Sequence, residues 1–427
     1  MRTLACLTLA AAAASAAGVA VAESSGQNYP QSKFGEVDHV FLVVMENQPR
    51  SVLIGNTYAP FINSYATIAN QATRYFAVGH PSAPNYLEIV GGSNFGLPND
   101  YWPNWTDAGC TDNSGGGGCS NAFTPISEPG VDNAVVATAV NSGDCNGQIS
   151  ATNPVPNDCA LRNYPAAPFT PRSIAHQLVM AGKSWKTYQE SLPTVQAAVT
   201  GTSYTAPGAF GINFSDGAFS NLSPPASAGA TSPFALGAVQ KLYAVKHNPF
   251  AYFQDIELGV DGDLSLQQVV DFDGPRGLWA DLSQLVNAPN LLFIVPNQCH
   301  DMHGFVSGGP PICSTSGTNA AAETNLLIAA GDAALARIVH GIKASRVWKY
   351  GGRNAIVVVW DENDYSVSAN NVVMLVETNY AENGRTSSVP YDHFSLLRTL
   401  EAAFGLQCLN HACDATSLVM NEMFGAP

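Results

Sequence analysis

Three short apolar runs constrain this chain more than any other feature: His39–Met45 (HVFLVVM), Leu291–Val295 (LLFIV) and Ile356–Trp360 (IVVVW). None alternates apolar with polar residues. Each therefore predicts a strand buried on both faces, and such strands belong to mainly parallel sheets covered by helices. Each run also ends in polar residues: Glu46 and Asn47 after the first, Asn297 to His303 after the second, Asp361 to Asp364 after the third. Ligands of open α/β sheets gather beyond the carboxyl ends of the strands, so three polar strand ends point to one shared site.

Between the runs, apolar spacing predicts helices over Pro60–Ala72 and Ser173–Ala181, one or two over Ala320–Ala344, and one over His393–Phe404, capped by Asp392 and closed by Gly405. The intervals 96–171 and 202–233 are rich in Gly, Ser, Asn, Pro and Thr and read as long loops covering the site. Residues 1–22 begin Met-Arg, continue through an Ala-rich apolar segment and end Ala20-Val21-Ala22, the pattern of a secretory signal. This predicts one large domain over residues 23–427, secreted or periplasmic. No later apolar run approaches the ~18 residues that span a bilayer, so no transmembrane segment is expected. Of nine cysteines Cys6 leaves with the signal, and the rest fall into near neighbours: Cys110/Cys119, Cys145/Cys159, Cys299/Cys313 and Cys408/Cys413. In an exported chain this suggests local disulfides. A zinc cluster is disfavoured because no Cys-x2-Cys spacing occurs.

The formal net charge of −15 and pI near 4.8 argue against a nucleic-acid partner and against electrostatic docking on anionic lipid. With only 18 Lys and Arg, a phosphate-handling site would rely on metal and backbone N–H groups rather than an arginine cluster. One stretch supplies such a place. In His80-Pro-Ser-Ala-Pro-Asn85, prolines bracket Ser82 just before an apolar helical run. A helix opening there leaves unpaired N–H groups beside the hydroxyl, where an anion can sit, and Ser82 reads as a nucleophile. His80 and Asn85 flank it as candidate substrate contacts.

Glu46 and Asn47 offer hard oxygen ligands for a divalent cation, and Asp361 and Glu362 add two carboxylates from the third strand. Without a cation, these acids would repel a phosphate. The segment Asn297 to His303 packs His300, Asp301 and His303 into a short span. Such a group can bind metal, orient a partner or act as general acid; His303 is the candidate to protonate a leaving oxygen, with His300 the alternative. Asp301 is a candidate substrate contact. His393, at a helix start that disfavours its charged form, is a candidate ligand or phosphate donor. Lys186 to Glu190 and Lys246-His247-Asn-Pro-Phe250 are weaker hints of a pocket wall.

Taken together, Val43-Val-Met-Glu-Asn47, His80-Pro-Ser-Ala-Pro-Asn-Tyr86, Ser184-Trp-Lys-Thr-Tyr-Gln-Glu190, Asn297 to His303, Trp360-Asp-Glu-Asn363 and Asp392-His-Phe-Ser-Leu-Leu-Arg398 carry a resemblance. The chain resembles the secreted phosphoesterases that include acid phosphatases and bacterial phospholipases C, within the alkaline phosphatase superfamily. The resemblance implies a three-layer α/β/α sandwich around a mainly parallel, doubly wound sheet. It also implies a metal-dependent phosphoester hydrolase, with Ser82 as nucleophile and Glu46, Asn47, Asp361 and Glu362 as metal ligands. Gln48-Pro49-Arg50 departs from the Ser or Thr and aromatic that commonly follow the Glu-Asn motif. The chain is shorter than the large phospholipases C, which favours a phosphomonoesterase. Phospholipase C activity on a phosphodiester head group is the alternative, and a non-catalytic binding protein for a phosphorylated ligand the second. A serine esterase is disfavoured because no Gly-x-Ser-x-Gly elbow is present.

Overall fold

Every residue of Asn354–Trp360 and Leu291–Val295 is buried, as are all but the first of His39–Met45. Successive side chains on a strand point to opposite faces, so this burial requires a covering layer on each side of the sheet. The structure, a computed structural model, describes residues 29–100, 102–103, 122–133, 166–192, 242–259, 261–285, 288–304, 313, 320–365 and 369–426. The expected signal at 1–22, the loop 202–233 and the pairs Cys110/Cys119 and Cys145/Cys159 lie outside the described residues, as does part of 96–171.

The principal sheet comprises β1 (His39–Met45), β2 (Asn70–Ala72), β3 (Trp185–Gln189), β4 (Val269–Val270), β5 (Leu291–Val295), β6 (Asn354–Trp360), β7 (Met374–Thr378) and β8 (Thr386–Ser387). They stand in the order β8-β2-β7-β6-β1-β5-β3-β4. β1 is parallel to both neighbours, with Val40 beside Leu291 and Val43 beside Val358. β3 and β4 extend the parallel part. On the other side β7 runs antiparallel to β6, and β2 antiparallel to β7. The carboxyl ends of β6, β1, β5 and β3 therefore open on one edge, as the polar strand ends predict.

The principal helices are α1 (Pro60–Ile68), α2 (Ser82–Gly91), α3 (Ile174–Met180), α4 (Ala320–Ala344) and α5 (His393–Phe404). They fall into two packing groups, α2 with α5 and α3, and α1 with α4, the arrangement of a three-layer α/β/α sandwich. α1 stops short of the expected Ala72 because Gln71 pairs with Leu375 and Thr386 in the sheet. Its start is capped from α4, where the Asp332 carboxylate accepts from the N–H of Phe61 at 3.0 Å and of Ile62 at 2.8 Å. α3 begins after Ser173, whose hydroxyl accepts from the His176 N–H, and α5 after Asp392, whose carboxylate accepts from the Ser395 N–H.

α4 is one continuous helix of 25 residues. Contrary to the expectation that no later run approaches a bilayer span, its Thr324–Ala344 part is long and apolar enough to cross one by length and composition. Half of that stretch is buried inside the protein, which a core helix packed on α1 also shows. The expected disulfides Cys299–Cys313 and Cys408–Cys413 are present.

Candidate active site

α2 begins at Ser82 itself and is buried along its whole length. Pro84 sits in its first turn, where the missing N–H is no loss. The helix ends at Gly92, whose φ of 71° suits glycine, and a side chain there would meet the Leu409 carbonyl oxygen. Packed against α5 and the Lys246 turn, α2 holds its first residue at the carboxyl edge of the sheet.

The Ser82 Oγ lies 3.1 Å from Glu46 Oε2 and 3.0 Å from Glu362 Oε1. A hydroxyl carries one proton, so it donates to one carboxylate at a time; the other approach needs a shared cation or a second proton. Glu46 leaves β1 with its N–H donated to the Asp301 carbonyl at 2.8 Å. Asp361 leaves β6 with Oδ1 accepting from the Asn47 N–H at 3.2 Å. Burial, then repulsion from Asp361 and Glu362, pushes the Glu46 pKa well above the usual carboxylate range. Burial and the adjacent Glu362 do the same to Asp361.

A cation fits this donor set. Glu46 Oε1, Asn47 Oδ1 and Asp361 Oδ2 are buried polar oxygens without a hydrogen-bond donor. Buried polar atoms in native proteins are nearly always satisfied, and three unsatisfied oxygens from the ends of two adjacent strands make a hard-ligand cradle. Of the four expected ligands, Glu46 and Glu362 meet at the Ser82 hydroxyl, and Asn47 and Asp361 are tied to each other through the Asn47 N–H.

His80 belongs to the same cluster, with Nδ1 2.6 Å from Glu362 Oε2 and its ring stacked on Tyr365 at 3.9 Å between centroids. Asn85, expected as a substrate contact, is engaged by the backbone around it. Its Oδ1 accepts from the Val78 and Gly79 N–H groups, and its Nδ2 donates to the carbonyls of Gly79 and Pro81. It shapes the turn that presents Ser82. His393 also departs from expectation: fully buried, it donates from Nε2 to the Asp361 carbonyl at 2.6 Å and accepts from Tyr75 at Nδ1. It stands behind Asp361 and orients it.

The two loop histidines diverge. His300 Nδ1 is 2.7 Å from Glu190 Oε2, and Glu190 also accepts from Arg337, so His300 faces the end of β3. His303 donates from Nδ1 to the Gly304 carbonyl and accepts at Nε2 from Lys246 Nζ at 3.0 Å. Burial and the Lys246 ammonium push the His303 pKa down to about 4. Asp301 accepts from the His303 N–H through Oδ1, while its Oδ2 faces His247 Nδ1 at 3.2 Å.

His247 and Lys246, weak hints in the sequence, stand inside the site. The His247 ring lies parallel to Tyr86, with Nε2 3.1 Å from Glu46 Oε1. Burial and Lys246 hold it neutral. Asp301 on one ring nitrogen leaves the other turned to Glu46, the geometry of a histidine prepared for metal. Glu46, His247 and His303 accordingly form a second possible ligand group, their donor atoms all within 4.8 Å of one another. Lys246 Nζ also donates to Asp100 Oδ2 at 3.0 Å. The only sequence signal for this turn was Lys-His-Asn-Pro-Phe itself, whose Pro249 and Phe250 anchor it in the core.

Residues 55–407 match the Phosphoesterase family. The chain is 25% identical over 377 residues to a phosphatidylinositol-3-phosphatase of Mycobacterium tuberculosis (strain ATCC 25618 / H37Rv), covering 88% of this chain and 80% of that protein. Among solved structures, it is similar to a protein in the alkaline phosphatase superfamily from Vibrio parahaemolyticus, with 11% identity, TM-score 0.43, and coverage of 89% of this chain and 69% of that one. A phosphonate monoester hydrolase of Agrobacterium radiobacter is similar at 11% identity and TM-score 0.39, with 86% and 74% of the two chains covered.

Proposed function

The chain belongs to the Phosphoesterase family and hydrolyses phosphoester bonds, and from that premise we propose that it is an exported, metal-dependent phosphomonoesterase with Ser82 as nucleophile. The observation that carries this reading is the Ser82 hydroxyl between the Glu46 and Glu362 carboxylates. The name of the mycobacterial relative supports a monoester substrate, of which a phosphorylated inositol ring is one class.

Glu46, Asn47, Asp361 and Glu362 would hold the divalent cation, which lowers the pKa of a nearby hydroxyl and neutralises charge on the phosphoryl group. Ser82 Oγ passes its proton to Glu46 or Glu362 and attacks phosphorus, forming an O–P bond as the ester O–P bond breaks. The leaving oxygen departs with the bonding electron pair and takes a proton from His303, or from His300 in the alternative assignment. His303 carries that proton mainly at acid pH, given its pKa of about 4. Water then attacks phosphoserine, its proton returning through the same groups, and releases phosphate. His80, clamped by Tyr365, and Asn85 keep Glu362 and the serine turn in place.

Phosphate release from an aryl phosphomonoester, followed across pH with and without chelator, tests this reading. Chelator-sensitive turnover that Ser82→Ala abolishes is expected. Turnover surviving in Ser82→Ala would remove the nucleophile. No turnover on monoesters with any divalent metal, but release from a choline or inositol phosphodiester, would move the assignment to a phospholipase C.

A further inference from the structure

The first turn of α2 contains a second anion contact that the ligand set does not use. Ala83, next to Ser82, has an N–H with no partner inside the helix, as the first residues of any helix do. It donates to Asp100 Oδ1 at 3.0 Å. The other oxygen of the same carboxylate takes Lys246 Nζ at 3.0 Å. One two-oxygen anion thus bridges a main-chain donor and an ammonium beside the nucleophile.

We propose that Lys246 and the Ala83 N–H form the seat for two non-bridging oxygens of the substrate phosphoryl group, that Asp100 fills this seat until substrate displaces it, and that Lys246 thereby selects monoesters over diesters. This rests on the reading of Ser82 as the attacking group.

The two partners differ in how they are built in. The Lys246 side chain is 15% exposed and Asp100 is 34% exposed, so the cation belongs to the pocket and the carboxylate reaches it from the rim. His303 accepts from Lys246 Nζ at 3.0 Å and fixes its direction. Lys246 is also the cation whose charge acts on Glu46, Asp361 and Asp301 together. Among so many carboxylates an incoming phosphate needs a positive contact, and this ammonium supplies one. A terminal phosphoryl group presents three acceptor oxygens, enough to occupy the seat and still leave one for the metal side. A diester has one fewer and a smaller charge, so it cannot satisfy both at once. A purely structural Asp100–Lys246 ion pair, by contrast, would affect folding without touching phosphate affinity.

The test uses the full chain with inorganic phosphate as probe, measured both as a competitive inhibitor and by titration calorimetry. Asp100→Asn keeps an acceptor for the Ala83 N–H but removes the competing charge. Phosphate should then bind on the order of tenfold more tightly, with KM for an aryl monoester falling alongside. Lys246→Gln should weaken phosphate on the order of 10- to 100-fold and lower the monoester-to-diester ratio of kcat/KM by a similar factor. Unchanged or weaker phosphate binding in Asp100→Asn overturns the proposal, as does an equal loss on monoester and diester in Lys246→Gln. If Lys246→Gln does not fold, the phosphate affinity of Asp100→Asn against that of the wild-type protein decides the seat alone. Should the wild-type protein release no phosphate at all, the Ser82 reading fails separately. The calorimetric shifts then still decide the seat, because they need no turnover.

Discussion

Chelation should destabilise this protein, and the size of the effect follows from the site. Glu46 and Glu362 meet at one hydroxyl, Asp361 is buried with them, and Glu46 Oε1, Asn47 Oδ1 and Asp361 Oδ2 lack donors. A cation bound only by the folded state stabilises it by about 2.7 kcal/mol at a free concentration 100 times its Kd, and by about 4.1 at 1,000 times. A shift of roughly 2–4 °C per kcal/mol, typical of larger domains, gives on the order of 5–15 °C in Tm between metal-loaded and chelated protein. Differential scanning calorimetry with chelator, then with Mg, Ca, Mn or Zn added back singly, measures it. Asp361→Asn separates the cradle from general salt effects. Its amide oxygen can still accept from the Asn47 N–H, and it removes a carboxylate held against its neighbours. The chelated variant should therefore be at least as stable as chelated wild type while losing the response to metal. No Tm response of wild type to any divalent cation, together with a chelated Asp361→Asn less stable than chelated wild type, would refute the reasoning.

His393→Phe should leave the fold intact but release the Asp361 carbonyl, lowering metal affinity roughly 10- to 100-fold; metal titration of the purified variant checks it, and unaltered affinity would show that His393 only fills space. His411 joins Asp132 at 2.8 Å and Asp414 at 2.7 Å, and although burial opposes its charge, the two carboxylates raise its pKa. Its stabilisation is therefore complete below the ordinary histidine pKa of about 6.5 and is lost as pH rises through the raised folded value. His411→Gln should accordingly cost more stability at about pH 5 than at about pH 9, and an equal loss in urea unfolding at both would contradict this. Leu42→Ala, at a fully buried position in the central strand, should cost about 2–5 kcal/mol in the same assay, and a loss under about 1 kcal/mol would mean that the cavity collapses.

The sheet was legible because its three central strands carry their burial in composition. Val, Ile and Phe without alternation admit few other structures, and the polar residues after each run marked the edge where the site stands. The buried carboxylates of the candidate site were legible for the same reason, since Glu46 and Asp361 directly follow strands. What the sequence concealed was direction. His300 and His303 are three residues apart, yet one turns to Glu190 and the other to Lys246. His393 sits at a helix start, where an anion contact was the natural expectation, but Asp361 offers it a main-chain carbonyl instead. Lys246 and His247 were hardest to weigh because a short 3₁₀ turn has no periodicity, and their partners Asp100, Asp301 and His303 are distant in the chain. The short strand at Asn70–Ala72 reads as helix in the sequence because its local spacing continues that of α1; only pairing with residues some three hundred positions later separates it.

The central place of β1 has a consequence for how the molecule comes into being. The strand at the middle of the sheet is made near the start of the chain, but its two neighbours, β5 and β6, come from the last third. During synthesis both edges of an apolar ribbon stay open until residues beyond 290 arrive, and closing contacts over such a span is slow. Glu46 and Asn47 cannot meet Asp361 and Glu362 until then, so a partly made or C-terminally truncated chain holds an unpaired, aggregation-prone strand and no site. Late assembly thus leaves Ser82 without the Glu362 carboxylate in any chain that has not been finished.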